Sequence, residues 1–200
     1  CNGGSNGTAT VVASGGSGGF TYSWSPSGGT SATASGLSSG SYTCTITDAA
    51  SISITKTFTI TQPTAISTAT GSLTNVSCNG GSKGSASVSP SGGTPSYTYS
   101  WSPSGGTSAT ATGLSAGAYT VTVTDANACT ATRSFTITQP SALSASTSQT
   151  NVSCNGGSNA TATVLASGGT PSYTYSWAPS GGTGATATGL SAGSYTCTIT

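Results

Sequence analysis

The chain has 200 residues, of which only three are basic and two are acidic, and it contains no histidine and no methionine. Average domains are about one quarter charged, so hydroxyl groups rather than ions keep this chain in water. The net charge of +1 excludes the basic stripe that nucleic-acid binding needs. General acid–base chemistry usually needs histidine or paired carboxylates, so we expect no enzyme, no catalytic residue and no cofactor.

Three near-copies of one sequence follow each other along the chain. Each copy contains a Cys-Asn-Gly-Gly segment, which starts at Cys1, Cys78 and Cys154. The spacing is 77 and then 76 residues, longer than the roughly 20 to 50 residues of solenoid repeats and long enough for a domain. Gln-Pro pairs mark the boundaries between copies. They predict the C-terminal part of one domain at 1–63, a complete domain at 64–140 and the N-terminal part of the next at 141–200.

Within the complete copy, short segments of period-two alternation predict β-strands. In chain order these segments are residues 72–77, 82–88, 96–101, 108–114, 118–125 and 134–140. Gly-Gly, Ser-Gly, Thr-Pro and Asp-Ala-Asn turn signals separate them, and no segment has helical periodicity. About seven short strands at this spacing predict an all-β fold. We expect tandem immunoglobulin-like antiparallel β-sandwich domains of about 77 residues, arranged as an elongated rod.

Aromatic residues on the predicted inward faces mark the core. A tryptophan and a tyrosine recur at matching places in the three copies: Trp24, Trp101, Trp177, Tyr42, Tyr119 and Tyr195. A domain of this size buries only about 60 to 65% of the surface of its unfolded chain. A covalent link would therefore add useful stability.

The last two strands of each copy are predicted to form a hairpin. In the first copy the apolar residues of both strands have even numbers, so only a loop of odd length keeps them on one face. A three-residue loop, 49–51 here and 126–128 in the central copy, meets this condition. It sets two apolar pairs opposite each other: Ile46 with Ile54, and Tyr42 with Phe58. Asn127, at the centre of the second loop, tolerates a left-handed conformation.

The few charged side chains also repeat. Asp48 matches Asp125, and Lys56 matches Arg133. We expect an ion pair beside each hairpin, worth under about 1 kcal/mol if it is exposed. One carboxylate in each copy is too few for a calcium site, so we expect no metal.

Each copy contains two cysteines, an even number that fits disulfides in an oxidising compartment. The outer copies share a spacing of 43 residues, but in the central copy Val121 stands at the second position and the cysteine moves to Cys129. A metal site is disfavoured because neither histidine nor clustered acids accompany the cysteines. We predict three bridges within domains: Cys1–Cys44, Cys78–Cys129 and Cys154–Cys197. Two alternatives stay open: Cys78 and Cys129 link neighbouring domains, or the cysteines are free, buried thiols.

The string SCNGGSxGxAxV…SGGTPSYTYSWSPSGGT…ATGLSAGxYTVTVTDANxCTAT…FTITQP resembles the SprB repeat of very large surface adhesins from gliding and related bacteria. The resemblance covers the whole chain. It implies export to the cell surface, display as filaments that contact a substratum, and no enzymatic residues. The family's usual cysteine placement matches Cys78 and Cys129, and the outer copies depart from it.

We therefore expect a segment of a longer polypeptide that builds an extracellular, cell-surface adhesive filament. The expected partners are neighbouring repeats of the same chain and other filament chains, with a surface glycan or substratum as ligand. No apolar run approaches the roughly 20 residues of a membrane helix, so we expect no membrane insertion here. Two alternatives stay open. The chain could be a passive spacer that carries a terminal enzyme or carbohydrate-binding domain, or separate chains could assemble into a fibre by strand exchange.

Overall fold

A computed structural model describes the whole chain, Cys1–Thr200, as sixteen β-strands joined by turns. The prediction of an all-β repeat protein is therefore confirmed. No helix of the structure has the length and apolar character to cross a bilayer.

The strands are short, from four to eight residues each. In chain order they are β1 Gly7–Thr10, β2 Thr21–Ser25, β3 Thr33–Leu37, β4 Gly40–Thr47, β5 Ser53–Ile60, β6 Ser67–Thr74, β7 Gly84–Ser91, β8 Thr98–Ser102, β9 Thr110–Leu114, β10 Gly117–Thr124, β11 Thr130–Ile137, β12 Ser144–Thr150, β13 Ala160–Ser167, β14 Tyr175–Ala178, β15 Thr186–Leu190 and β16 Thr196–Ile199. Gly-Gly turns with positive φ directly follow β7 and β13, at Gly92–Gly93 and Gly168–Gly169, because glycine adopts the backbone angles that tight turns need.

One sheet plan returns in every copy. In the first copy β1 pairs with β3, and β4 lies between β2 and β5. The central copy has the orders β6-β7-β9 and β11-β10-β8, and the third has β12-β13-β15 and β14-β16. The central copy thus has six strands in two sheets, one fewer than the seven that turn spacing indicates.

Internal contacts divide the chain into two compact units. Unit 1 comprises Cys1–Ala69, Ser89–Ser100 and Thr122–Arg133. Unit 2 comprises Thr70–Val88, Trp101–Val121 and Ser134–Thr200. Strands β1 to β5 belong to unit 1 and β12 to β16 to unit 2, while strands of the central copy contribute residues to both.

In unit 1 the two sheets of the first copy share one core. Buried residues from both sheets form it: Ala9, Val11, Trp24, Ala34, Leu37, Tyr42, Cys44 and Ile46. The ring of Trp24 lies 5.5 Å from that of Phe58 in a tilted arrangement, which aromatic pairs favour. Its indole N–H donates to the Ser31 carbonyl at 2.9 Å, so burial leaves this polar group satisfied.

In unit 2 the same contacts recur. The rings of Trp101 and Phe135 lie 5.4 Å apart, and the indole N–H of Trp101 donates to the Ser108 carbonyl at 2.9 Å. Tyr119 is buried. Trp177 and Tyr195 are only half-buried, and the 200 residues include no counterpart of Phe135 in the third copy.

The register of the hairpin between β4 and β5 is the predicted one. Tyr42 lies opposite Phe58 and Ile46 opposite Ile54. The left-handed residue, however, is the last of the loop and not the central Asn127: Ser51 has a φ of 64° and Ala128 a φ of 61°. A three-residue hairpin loop is a type I turn followed by a left-handed residue, which places that residue third.

The three predicted bridges within copies are wrong, whereas two alternatives are confirmed: Cys129 links neighbouring copies, and Cys44 is a free, buried thiol. The disulfide joins Cys1 to Cys129, and four cysteines are free: Cys44, Cys78, Cys154 and Cys197. The bridges Cys1–Cys44, Cys78–Cys129 and Cys154–Cys197 are therefore absent. Cys44 points into the core while Cys1 lies in an exposed loop. The core position needs only a small apolar side chain, since Val121 occupies it in the central copy.

Candidate functional site: the junction between copies

The first and central copies meet around the disulfide in unit 1. Cys1 precedes β1, whereas Cys129 follows the loop of the second hairpin, and their Cα atoms are 5.3 Å apart. This separation suits an ordinary disulfide. Pro63, at the end of the first copy, lies beside both cysteines along one shallow cleft of about 320 Å³.

The Cys-Asn-Gly-Gly loop on one side of the junction is fastened to the end of its own copy. The Asn2 side chain donates from Nδ2 to the Pro63 carbonyl at 3.1 Å. The Gly3 N–H donates to Oε1 of Gln62 at 2.7 Å, and Gly3 has a φ of 76°, which favours glycine. These two bonds explain why the loop and the Gln-Pro pair recur together in the sequence.

The hairpin on the other side is organised by Asp125. One carboxylate oxygen accepts the N–H of Asn127 at 2.9 Å and that of Cys129 at 2.8 Å. The other oxygen accepts the N–H of Thr94 at 2.8 Å. These backbone N–H groups, that of Thr94 above all, hold the pKa of Asp125 below its ordinary value, against the opposing effect of burial. Asp125 thus fixes the backbone of Cys129.

Asp48 performs the same task in the first copy. Its carboxylate accepts the N–H groups of Ser17 at 3.0 Å, Ala50 at 3.0 Å and Ile52 at 2.9 Å. The bond from Ser17 makes the largest contribution to lowering the pKa of Asp48. Both aspartates therefore cap hairpin loops through backbone N–H groups, a role different from the expected ion pair.

The same loop is built again at Cys78, in unit 2. Asn79 donates from Nδ2 to the Pro140 carbonyl at 3.0 Å, and the Gly80 N–H donates to Oε1 of Gln139 at 2.8 Å. The thiol of Cys78 is exposed and free. It borders a cleft of about 470 Å³ that Thr170 and Thr200 also line.

The structure thus brings together one pair of the predicted site residues, Cys1 with Cys129. Of the predicted aromatic positions, those in the first and central copies are buried: Trp24, Tyr42, Trp101 and Tyr119. Cys154 and Cys197 remain separate. Sequence reasoning missed the residues that shape the junction: Asn2, Gln62, Thr94 and Asp125. The signal was present, because an Asp stands four residues before Cys129, and Gln-Pro recurs a fixed distance after each of two Cys-Asn-Gly-Gly segments. The chemistry available here is thiol–disulfide exchange and backbone anchoring.

Comparison with known proteins agrees with the repeat pattern. No curated protein matches the chain. The family model described as SprB repeat matches it three times, at residues 1–30, 70–106 and 146–182. Together these matches cover just over half of the chain, and each includes a Cys-Asn-Gly-Gly loop. The chain belongs to the SprB-repeat family.

Proposed function

We propose that this chain is a structural segment of an extracellular, cell-surface filament of tandem immunoglobulin-like domains, and that the filament mediates attachment. The observation that carries the proposal is the threefold match to the SprB repeat, which is typical of cell-surface proteins. The disulfide between Cys1 and Cys129 supports it, because structural disulfides persist in oxidising compartments outside the cytosol.

The domain assignment, with one complete domain at 64–140, is part of the proposal. Two features of the strands support an immunoglobulin-like arrangement: a core tryptophan in each complete pair of sheets, and a tyrosine hydroxyl bonded to upstream backbone. Tyr119 donates from its hydroxyl to the Ser115 carbonyl at 3.2 Å, and Tyr195 donates likewise to Ser191 at 3.2 Å. Tyr119 lies near the start of β10, and Tyr195 directly precedes β16.

Attachment would arise from many weak contacts, one set on each copy. Linked modules bind far more tightly than one module alone, because each later contact forms at high effective concentration. Such a filament needs neither a deep pocket nor catalytic groups. The exposed rows of Thr, Ser and Gly offer hydroxyl and backbone groups to a glycan or another polar surface.

Electron microscopy of the source cells, with an antibody against the central copy, tests this function. We expect labelled filaments that project from the cell surface. Label confined to soluble particles or to a larger enzyme would contradict the proposal and favour a passive spacer. Adhesion is tested separately, by binding of native filaments and of the recombinant chain to glycans, polymers and cells; no binding to any of them would remove the attachment role.

A further inference from the structure

The disulfide joins two copies that the peptide chain already connects through Pro63. Cys1 and Cys129 are 128 residues apart in sequence. Cys78, the next cysteine of the same kind as Cys1, lies between them. A second bridge from Cys78 to a later copy would therefore begin inside the segment that the first bridge closes.

Both halves of the existing bridge are preformed by bonds that do not involve sulfur. Asn2 and Gly3 hold the Cys1 loop in place by donating hydrogen bonds to Pro63 and Gln62, respectively. The Cys129 backbone is held by Asp125, whose other oxygen accepts the N–H of Thr94. Asn127 adds a bond from Nδ2 to the Thr94 hydroxyl at 2.8 Å. The loop and the hairpin are thus complementary parts of a docking site that the disulfide completes.

Cys78 has the first half of this site in full. Its loop makes the same bonds to Pro140 and Gln139, and its turn is closed by the Gly81 N–H on the Cys78 carbonyl at 3.1 Å, as Gly4 closes that of Cys1 at 3.1 Å. Thr170, the counterpart of Thr94, lines the cleft beside Cys78. Its hydroxyl donates to the Ser77 carbonyl at 3.4 Å. The surroundings of Cys78 therefore match those of Cys1 on the side where the Asp125 hairpin docks.

We propose that a Cys-Asn-Gly-Gly loop docks a hairpin of the following copy, and that a disulfide locks the pair wherever that hairpin has a cysteine four residues after its aspartate, as Cys129 follows Asp125. Cys78 is the second such site, and the occupant that fits it is a hairpin of the following copy with the Asp-x-x-x-Cys sequence of residues 125–129. This junction is independent of any adhesive role.

The chemistry is thiol–disulfide exchange. The two cysteine thiols lose two protons and two electrons, and a small-molecule or protein disulfide of the oxidising compartment is reduced to two thiols. The product is a series of overlapping covalent loops. The peptide connection between two copies linked in this way is spanned by a disulfide, so a single cleavage of the backbone between them does not separate the copies.

The first experiment uses the 200-residue chain with a protease site inserted after Pro63. After cleavage we expect one species in denaturant without reductant and two fragments after reduction. Cys129→Ser should release two fragments without reductant, and Cys78→Ser should behave as the parent chain. Release of fragments from the cleaved, unreduced parent would overturn the proposal at the first junction.

The second experiment lengthens the full chain after Thr200 by a copy of residues 125–140. We expect protection of Cys78 from alkylation and a peptide in which Cys78 is linked to the added cysteine, found by mass spectrometry, while the Cys1–Cys129 link is retained. The matched control has serine in place of the added cysteine and should leave Cys78 reactive. A Cys78 that stays reactive in the lengthened chain, or that pairs with Cys154, would overturn the proposal.

Discussion

Cys44 packs in the core as a small apolar residue would. It is 0% exposed and lies among Trp24, Tyr42 and Ile46, and Val121 fills the same position in the central copy with 0% exposure. Burial raises the pKa of the Cys44 thiol, against a smaller lowering by the backbone of Ser23. A thiol of this kind is a poor nucleophile, because only the thiolate reacts.

Replacement of Cys44 by valine should therefore leave the stability within about 1.5 kcal/mol of the parent, as volume-conserving apolar exchanges do. Cys44→Ser should cost about 1 to 3 kcal/mol, because it buries a hydroxyl in the core. Urea unfolding measures both, and the exposed Cys78→Ser is the control. In the native parent, alkylation should label Cys78 and Cys154 well before Cys44; rapid labelling of Cys44 would contradict its place in the core.

The two aspartates make the acid stability of the protein unusually simple. Backbone N–H groups lower the pKa of both Asp48 and Asp125, so in the folded state each carboxyl loses its proton at lower pH than in the unfolded chain. Their contribution is then fully present above the unfolded pKa of about 4 and is lost as the pH falls through the lowered folded value.

Thermal unfolding between pH 7 and pH 2 should therefore show a constant melting temperature down to about pH 4, the unfolded pKa, and a decrease below it. No other acidic side chains exist in the chain, so the double variant with Asp48→Asn and Asp125→Asn should have lower stability at pH 7 and a much flatter profile. An equal decrease in the double variant would show that the hairpin caps are not responsible.

At the level of single elements, the hairpin loops carry a local strain. Ala128 and Ser51 occupy left-handed backbone at a φ of 61° and 64°, where a side chain costs roughly 1 to 2 kcal/mol. Glycine avoids that cost but adds freedom to the unfolded chain. Ala128→Gly should therefore stabilise the protein by about 0.5 to 1 kcal/mol.

Urea unfolding measures this gain, and Ala126→Gly in the same loop is the control. Ala126 is absent from the residues with positive φ, so glycine there should be neutral or destabilising. Equal effects of the two substitutions would contradict the assignment of the strain to the third loop residue.

These hairpins also show how far sequence reasoning reaches. Period-two alternation, with apolar residues such as Ile46 and Ile54 at even positions in both strands, fixes the register. A slip of one residue would turn the apolar face outward. The left-handed position depends on backbone geometry within the loop, which residue type indicates poorly: asparagine is present, but the loop places Ala128 there. The alternation does not show that β6 joins β7 as a third strand of its sheet, since β6 is exposed almost throughout.

The disulfide connectivity is harder to predict from the sequence than the hairpin register, because the bonded cysteines are distant in sequence and close only in the folded chain. Spacing along the chain favoured Cys1 with Cys44, two residues that belong to one copy. The actual partner lies 128 residues away, in a loop whose approach depends on how Pro63 leads into the next copy. Bridge connectivity cannot be deduced from sequence alone. The matched substitution of Val121 for Cys44 was the one local sign that the core position did not require sulfur.

At the scale of the whole molecule, a disulfide and hydrogen bonds, rather than ion pairs, hold neighbouring copies together. Five charged side chains in 200 residues leave few ion pairs for salt to screen. The junction between copies rests on backbone groups, on the amides of Asn2 and Gln62, on the Asp125 carboxylate that accepts backbone N–H groups, and on sulfur. Such an architecture suits a protein that meets changing ionic strength, because its links between copies are hydrogen bonds and a disulfide rather than exposed ion pairs.

The Cys1–Cys129 link should be the largest single contribution to the stability of unit 1. In the loop-entropy model, a disulfide that closes a loop of this length lowers the entropy of the unfolded chain and so raises the free energy of unfolding by about 5 kcal/mol. The double variant with Cys1→Ser and Cys129→Ser should therefore unfold at markedly lower urea concentration, as followed by tryptophan fluorescence, and reductant should shift the parent to the same midpoint. Cys78→Ser should leave the midpoint unchanged. If the double variant unfolds with the parent, the bridge does not constrain the unfolded chain and the copies are held together by their hydrogen bonds alone.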